Sequence, residues 1–262
     1  MKKRALVVLS GGQDSTTCLF WAKQHYEEVH AITFDYRQRH SIEIEAAIVI
    51  ANMAGVGERH EIVNIPDCLV STSPLTSGSK LEQYENFEQM DRVIGDRVEL
   101  TFVPMRNMLF LTIAMNRAVA LGQGTDVITG ICQADNANYP DCTEAFRMDF
   151  EQAANQALQS IPDPSNPLHR VVAPLMFMSK AETVKLAHKL PGCWGALAYT
   201  HTSYDGGYPP VDMNHSNVLR AQGFREAGLP DPLVLRAVFE GLMNYPSTEN
   251  YSDEVIFRNS YL

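Results

Sequence analysis

The sequence predicts an α/β protein: a doubly wound parallel sheet with helices on both faces, followed by a small C-terminal lobe of helices and loops. Three observations carry this reading. Short apolar runs alternate with stretches of helical periodicity over the first 190 of 262 residues, the order that builds βαβ units. A Ser/Gly-rich loop, Leu9-Ser10-Gly11-Gly12-Gln13-Asp14-Ser15-Thr16, sits between the first apolar run and the first helical stretch. Beyond residue 190 the alternation stops and the composition shifts to Pro, Gly, Tyr and Asn. We therefore divide the chain into an α/β domain, 1–190, and a lobe with a tail, 191–262.

The elements follow in order. Ala5 to Leu9 is a continuous apolar run, the signature of a strand buried on both faces. Thr17 to Ala22 reads as the first turns of a helix, and Val29 to Phe34 as a second strand. Ser41 to Ala54 has helical spacing with Ser41 as its N-cap. His60 to Ile65 is a third strand. Residues 71–100 are polar and without sustained periodicity, so a long loop over the site is expected. Asn107 to Leu121 is a helix, Asp126 to Gly130 a fourth strand, Thr143 to Leu158 a helix, and Pro162 to Pro167 a break. Arg170 to Leu175 is a fifth strand. Ser179 opens a helix to Leu190 with Glu182 at the capping-box position. A last helix is expected near Pro232 to Met243. In such a sheet the ligand lies beyond the carboxyl ends of the strands.

Composition narrows the function. A formal charge of −10 opposes nonspecific binding to nucleic acid, so a small-molecule substrate is expected rather than tRNA or DNA. Charged residues are 20% and hydrophobic ones 45% of the chain, a soluble globular balance. No apolar run has the length of a membrane span, and Met1-Lys2-Lys3-Arg4 leads into a strand rather than a signal peptide. Cys18, Cys68, Cys132, Cys142 and Cys193 form no CxxC pair and read as reduced thiols of a cytoplasmic protein.

The loop at Ser10 to Thr16 is an anion cradle. Glycines let the backbone approach an anion, the free N–H groups of a helix start point at it, and Ser10, Ser15 and Thr16 add hydroxyl donors. The lysine of a Walker loop is missing. The order SGGxDS resembles the loop of the ATP pyrophosphatases, which split ATP between the α- and β-phosphates and adenylate a substrate. Other groups converge on the same edge. Thr33-Phe34-Asp35-Tyr36 ends the second strand, where a nucleotide's base or ribose would sit. Arg37, Gln38, Arg39 and His40 follow, either as cations for phosphate or carboxylate or as a solvated loop. Arg106 and Asn107 fall at a helix N-terminus, Asn107 being also a candidate N-cap. Lys180, in the first turn after the fifth strand, can supply the cation the loop lacks. Tyr139-Pro140-Asp141-Cys142 offers a ring and a carboxylate that suit a guanine-like heterocycle, with an N-cap as the other reading of Asp141.

Together SGGQDSTTCL, TFDYRQRH, FVPMRN, TGICQAD, NYPDC, APLMFMSKAET and LRAQGF stand in the order and spacing of the 7-cyano-7-deazaguanine synthase family, over residues 2 to about 228. The resemblance implies an adenine-nucleotide α-hydrolase-like fold, a homodimer, and a substrate set of ATP, ammonia and 7-carboxy-7-deazaguanine. It implies that Ser10, Gly11, Gly12, Gln13, Asp14, Ser15 and Thr16 hold the pyrophosphate end of ATP, with Phe34 and Asp35 beside the nucleotide. Asp14 would help position Mg2+. Lys180 and Arg106 would neutralise phosphate charge. Tyr36, Arg39, Asn107, Tyr139 and Asp141 would contact the acid substrate, Tyr139 and Asp141 orienting its deazaguanine.

The pattern breaks in two places. The family carries four zinc cysteines, one before a Tyr-Asn-Gly-Gly-like turn and three at CxxCxxC; here Ser203, Val211, Asn214 and Asn217 occupy those positions. A four-cysteine zinc is therefore not expected. His201, Asp212 and His215 are the remaining metal-capable side chains nearby, and packing helped by the aromatic tail, Tyr245 to Tyr261, is the expected replacement. Arg37 stands where the family has glycine, and Asn136-Ala137-Asn138 replaces a Ser-Gly-like step. These departures keep open a paralogue that stops at the amide or joins the acid to another amine, such as a protein. A non-catalytic nucleotide-binding module is the reading from another class.

Overall fold

The computed structural model describes residues 3–36, 42–65, 69, 71–77, 79–133, 138–159, 168–203 and 206–259. Five strands, β1 (Arg4–Val8), β2 (Glu28–Asp35), β3 (His60–Asn64), β4 (Asp126–Ile128) and β5 (Val171–Val172), form one sheet in the order β3-β2-β1-β4-β5. Every pairing is parallel. The order reverses at β1, so a crevice opens beyond the ends of β1 and β4.

The helices are α1 (Gln13–His25), α2 (Ile42–Met53), α3 (Pro74–Ser77), α4 (Phe87–Ile94), α5 (Arg106–Leu121), α6 (Glu144–Ala157), α7 (Lys180–Lys189), α8 (Cys193–Leu197), α9 (His215–Ala227), α10 (Pro232–Phe239) and α11 (Asp253–Asn259). Side chains alternate across the sheet with period two. Ala5, Val7 and Leu9 enter a core with α1, α2, α7, α8 and Phe224 of α9. Leu6 faces the opposite core, with Ile32, Val127, Leu111 and Ala114 of α5, and Phe150 of α6. The doubly wound fold predicted from the alternation is the one observed. Because Cys193, Trp194, Leu197 and Phe224 share a core with β1 and α1, α8 and α9 are packed onto the α/β domain itself.

Several boundaries differ from expectation. Helix α1 begins at Gln13, four residues earlier than the apolar pattern suggested, so Asp14 and Ser15 lie in its first turn. The stretch 71–100 is not one loop. It holds α3 and α4, and α4 spans too few residues for its apolar spacing to stand out. Asn86 caps α4 by accepting from the Gln89 N–H, and Met90 and Ile94 pack on Val218 and Leu219. Asn107 is not the cap of α5; Met105 holds that place in a left-handed conformation, φ 66°. Helix α10 stops at Phe239, where Gly241 at φ 73° turns the chain. The capping box of α7, Ser179 with Glu182, is formed. Ser41 and the Pro-rich break lie outside the described residues.

A buried ion pair ties the lobe together. The Arg220 guanidinium donates to both Asp231 oxygens at 2.6 and 2.8 Å and to Thr200 Oγ1 and Thr202 Oγ1 at 2.8 and 2.7 Å. The tail joins it: the Asp231 N–H donates to Tyr251 Oη at 3.2 Å, and Asn250 Nδ2 to the Leu229 carbonyl at 3.0 Å. With the two charges only 3% and 4% exposed, removing one leaves the other buried and unpaired. Asp231→Ala is therefore expected to cost about 3–5 kcal/mol in urea unfolding; a loss below about 1 kcal/mol would contradict this role for the pair.

Candidate active site

The crevice beyond β1 and β4 is a cavity of 330 Å³, in the range of small-molecule sites. Its floor is the Ser/Gly loop. Gly11 takes φ +83°, and a Cβ there would stand 2.3 Å from the Glu43 carbonyl oxygen, so only glycine lets the loop lie against α2. On the other side the Gly11 carbonyl accepts from the His201 N–H at 2.9 Å. Gly12 is the extended N-cap of α1 and supplies no side-chain cap, which leaves the first-turn N–H groups to an anion. Ser15 Oγ accepts from the Ser10 N–H at 3.1 Å and meets Ser10 Oγ at 3.0 Å. Thr16 Oγ1 donates to the Gly12 carbonyl at 2.8 Å. Ser15 thus braces the cradle while lining the cavity, whereas Thr16, fully buried, uses its hydroxyl to brace the loop rather than to offer a donor.

Lys180 reaches this floor from α7. Its Nζ donates to Asp14 Oδ2 at 2.8 Å, while Asp14 Oδ1 is buried without a hydrogen-bond partner. Lys180 is held by α9: a Cβ on Gly223 would stand 2.4 Å from Lys180 Cγ. The cation predicted to replace the Walker lysine is therefore in place, supplied by another helix.

The far end of the cavity is built by β2 and α5. Phe34 stacks on Phe110 at 4.4 Å between ring centroids. The left-handed Met105 turns the chain so that Arg106 opens α5 at the cavity, where it is hydrogen-bonded to Tyr36. The Asn107 N–H donates to Asp141 Oδ2 at 3.4 Å and Asn107 Nδ2 to the Asp141 carbonyl at 3.3 Å. Burial raises the Asp141 carboxyl above its usual value, opposed by Arg106 and these N–H groups. Thr143, not Asp141, caps α6. The Tyr139 hydroxyl lies 2.5 Å from Thr101 Oγ1 and donates to Glu99 Oε2 at 3.2 Å.

Ser10, Gly12, Gln13, Asp14, Ser15, Phe34, Tyr36, Arg106, Asn107, Tyr139 and Lys180 thus line one cavity. Gly11 and Thr16 support it from behind. Asp141 stands behind Asn107, and Asp35 ends β2 paired with Asn64, outside the lining. Arg39, Arg37 and the rest of that basic cluster lie outside the described residues, as do Asn136 and Ala137. Glu43 was missed. It lines the cavity, and burial pushes its carboxyl up to about 7, with Arg106 opposing. The only sequence signal was a glutamate in the first turn of the helix following TFDYRQRH. Glu99, Arg220 and the wall formed by the lobe were missed too, because sequence spacing does not show that the lobe folds back onto the loop.

Ser203, one of the four positions at which the resemblance implies zinc cysteines, lies in that wall. Ser203 Oγ donates to the Asp212 carboxylate, Asn217 Nδ2 to the Asp212 carbonyl at 3.2 Å, and the Asn217 N–H and Ser216 Oγ to Asn214 Oδ1 at 3.1 and 2.8 Å. His201 Nε2 is 2.6 Å from the Ser203 carbonyl. His215 lines the cavity, and its Nε2 is buried without a partner, as are Asn214 Nδ2 and Asn217 Oδ1; each such atom costs about 1–3 kcal/mol unless a ligand or water meets it. A hydroxyl, an isopropyl group and two amides do not fit zinc; the hydroxyl and the amides belong to a hydrogen-bonded mesh instead.

Fold and cavity define a doubly wound α/β protein with an anion cradle at its topological switch point. The sequence model described as "Queuosine biosynthesis protein QueC" matches residues 4–228. The chain is 45% identical over 233 residues to the 7-cyano-7-deazaguanine synthase of Gloeobacter violaceus, across 88% of this chain and 95% of that one. It is 45% identical over 238 residues to the synthase of Laribacter hongkongensis, across 89% and 95%. With that of Syntrophobacter fumaroxidans it shares 36% over 235 residues, across 88% and 95%. The chain belongs to the QueC family. Within that family the mesh leads to a specific expectation: elemental analysis of the purified chain finds no stoichiometric zinc, and a chelator leaves the melting temperature unchanged. A full equivalent of zinc, with destabilisation on its removal, would contradict the ligand chemistry.

Proposed function

We propose that this chain is an ATP-dependent C–N ligase that adenylates 7-carboxy-7-deazaguanine and, with ammonia, yields 7-cyano-7-deazaguanine through the amide. Family membership supports the substrate. The observation that carries the chemistry is a single cavity with an anion cradle and the Lys180–Asp14 pair at one end and Tyr139, Asn107 and Arg106 at the other. A carboxylate is a poor electrophile, so one of its oxygens first attacks the α-phosphorus of ATP and pyrophosphate leaves. Ammonia then adds to the acyl carbon, and AMP departs with that oxygen. The amide oxygen attacks a second ATP in the same way, and loss of AMP and protons leaves the nitrile. Ser10, Ser15 and the first-turn N–H groups of α1 hold the leaving pyrophosphate, while Lys180 balances its charge and Arg106, from the other end, that of the α-phosphate. Catalysis of this kind is positioning and charge stabilisation, with no protein nucleophile. The unpartnered Asp14 Oδ1 fits a hard cation such as Mg2+, which would add charge neutralisation at the phosphates. Tyr139 stacks the heterocycle, and Asp141 steadies Asn107 beside it. Among the described residues Cys18, Cys132, Cys142 and Cys193 form no disulfide with one another, in keeping with a cytoplasmic protein, and a homodimer is the assembly we assign to it. Among the described residues no helix is long and apolar enough to cross a membrane.

A second reading follows from the altered cavity wall, where Ser203 and His215 stand in the region of the family's metal knot: the same activation stopping at the amide, or passing the acid to another amine. Mass spectrometry of protein, Mg2+, ATP, the acid and ammonium separates the two. Nitrile with two AMP per product is the expected result; amide alone favours the second reading; no ATP cleavage would leave only a binding module. Asp14→Asn is expected to lower AMP release by about 100-fold or more with the melting temperature retained, and near-normal turnover would remove Asp14 from the chemistry.

A further inference from the structure

Glu43 is the cavity-lining carboxylate for which the phosphate-handling groups provide no use. It stands in the first turn of α2, which is locked to the cradle where its own backbone carbonyl meets Gly11. Neither a hydrogen bond nor an ion pair holds its side chain among the described residues; the charge acting on it is Arg106. The other titratable groups that line the same cavity are Asp14, Tyr36, Arg106, Cys132, Tyr139, Cys142, Lys180, His201, His215 and Arg220. A carboxylate that lines a reaction cavity without a structural partner is available to a proton of the substrate.

Resting on the ligase reading, we propose that Glu43 is the general base for the nitrogen: it takes the protons that ammonia must lose on its way to a nitrile. The balance requires such a group. Ammonia brings three N–H bonds, and a nitrile nitrogen has none. One proton leaves as the amide forms and AMP departs. Two more leave in the second round, as the adenylated amide loses AMP. Each passes to the Glu43 carboxylate and from there to water, with no redox change. The burial that lifts Glu43 toward neutrality suits a base that must both take up and release protons near pH 7.

The adenylation step can be read apart from the nitrogen steps by acid-dependent exchange of labelled pyrophosphate into ATP without ammonia. Glu43→Gln is expected to keep this exchange within about threefold while nitrile formation falls about 100-fold or more. In the wild-type chain nitrile formation should rise with pH on a limb centred near neutrality, and that limb should be missing in Glu43→Gln and retained, at reduced rate, in Glu43→Asp. Exchange and nitrile formation falling together would make Glu43 a structural residue and overturn the proposal. So would a wild-type profile flat between pH 5.5 and 8.5, a result that needs no variant to fold. Failure of the ligase reading looks different: the wild-type chain itself shows no acid-dependent exchange, and the role of Glu43 falls with it.

Discussion

Everything at the site depends on how closely three segments approach Gly11. The loop after β1, the first turn of α2 and the segment entering the lobe at His201 all meet there. A Cβ would collide with the Glu43 carbonyl at 2.3 Å, and the Gly11 carbonyl is taken by the His201 N–H at 2.9 Å. This one junction fixes the pitch of α1, brings Glu43 to the cavity and anchors the lobe as its wall. The left-handed φ of +83° is what a side chain would resist. A second close approach, Gly223 of α9 against Lys180 of α7, holds the cation in place from the lobe side. The segment from His201 onward is thus in contact with the cradle through one backbone hydrogen bond and with the Lys180 side chain through Gly223.

The lobe holds a hydrogen-bonded mesh at the positions where no zinc cysteine stands. Ser203, Asp212, Asn214 and Asn217 bond one another, and the buried Arg220–Asp231 pair carries the tail through Tyr251. Such a mesh differs in kind from a metal site. It is built from many weak donors and leaves Asn214 Nδ2, Asn217 Oδ1 and His215 Nε2 unmet. Ser203, His215 and Ser216 of this stretch also line the cavity.

Much of this was legible in the sequence. Alternating apolar runs fixed the parallel sheet because a doubly covered strand has no polar face to confuse the reading. The cradle loop, Lys180, Arg106 and Tyr139, which line one cavity, could be picked out from local residue type at strand ends and helix starts. Two kinds of information were not legible. Helix starts were misplaced where a glycine cap leaves no polar signature, as at Gly12, or where an unusual backbone does the capping, as at Met105. Short α4 was hidden in a polar stretch because two turns of apolar spacing do not stand out. Partners brought together only by the return of the chain, such as His201 with Gly11 or Gly223 with Lys180, are separated by far more sequence than any motif spans. The role of Glu43 was invisible for the same reason: a glutamate in a first helical turn is ordinary until its surroundings are known.

The central claim is that the cradle directs a substrate oxygen onto the α-phosphorus of ATP. Isotope transfer tests this directly. With the carboxylate of 7-carboxy-7-deazaguanine labelled with oxygen-18, the phosphate of each AMP released should carry one labelled oxygen, first from the acid and then from the amide, and the pyrophosphate none. Unlabelled AMP, or label in pyrophosphate or inorganic phosphate, would show that activation does not run through an adenylate and would contradict the assignment of the cavity.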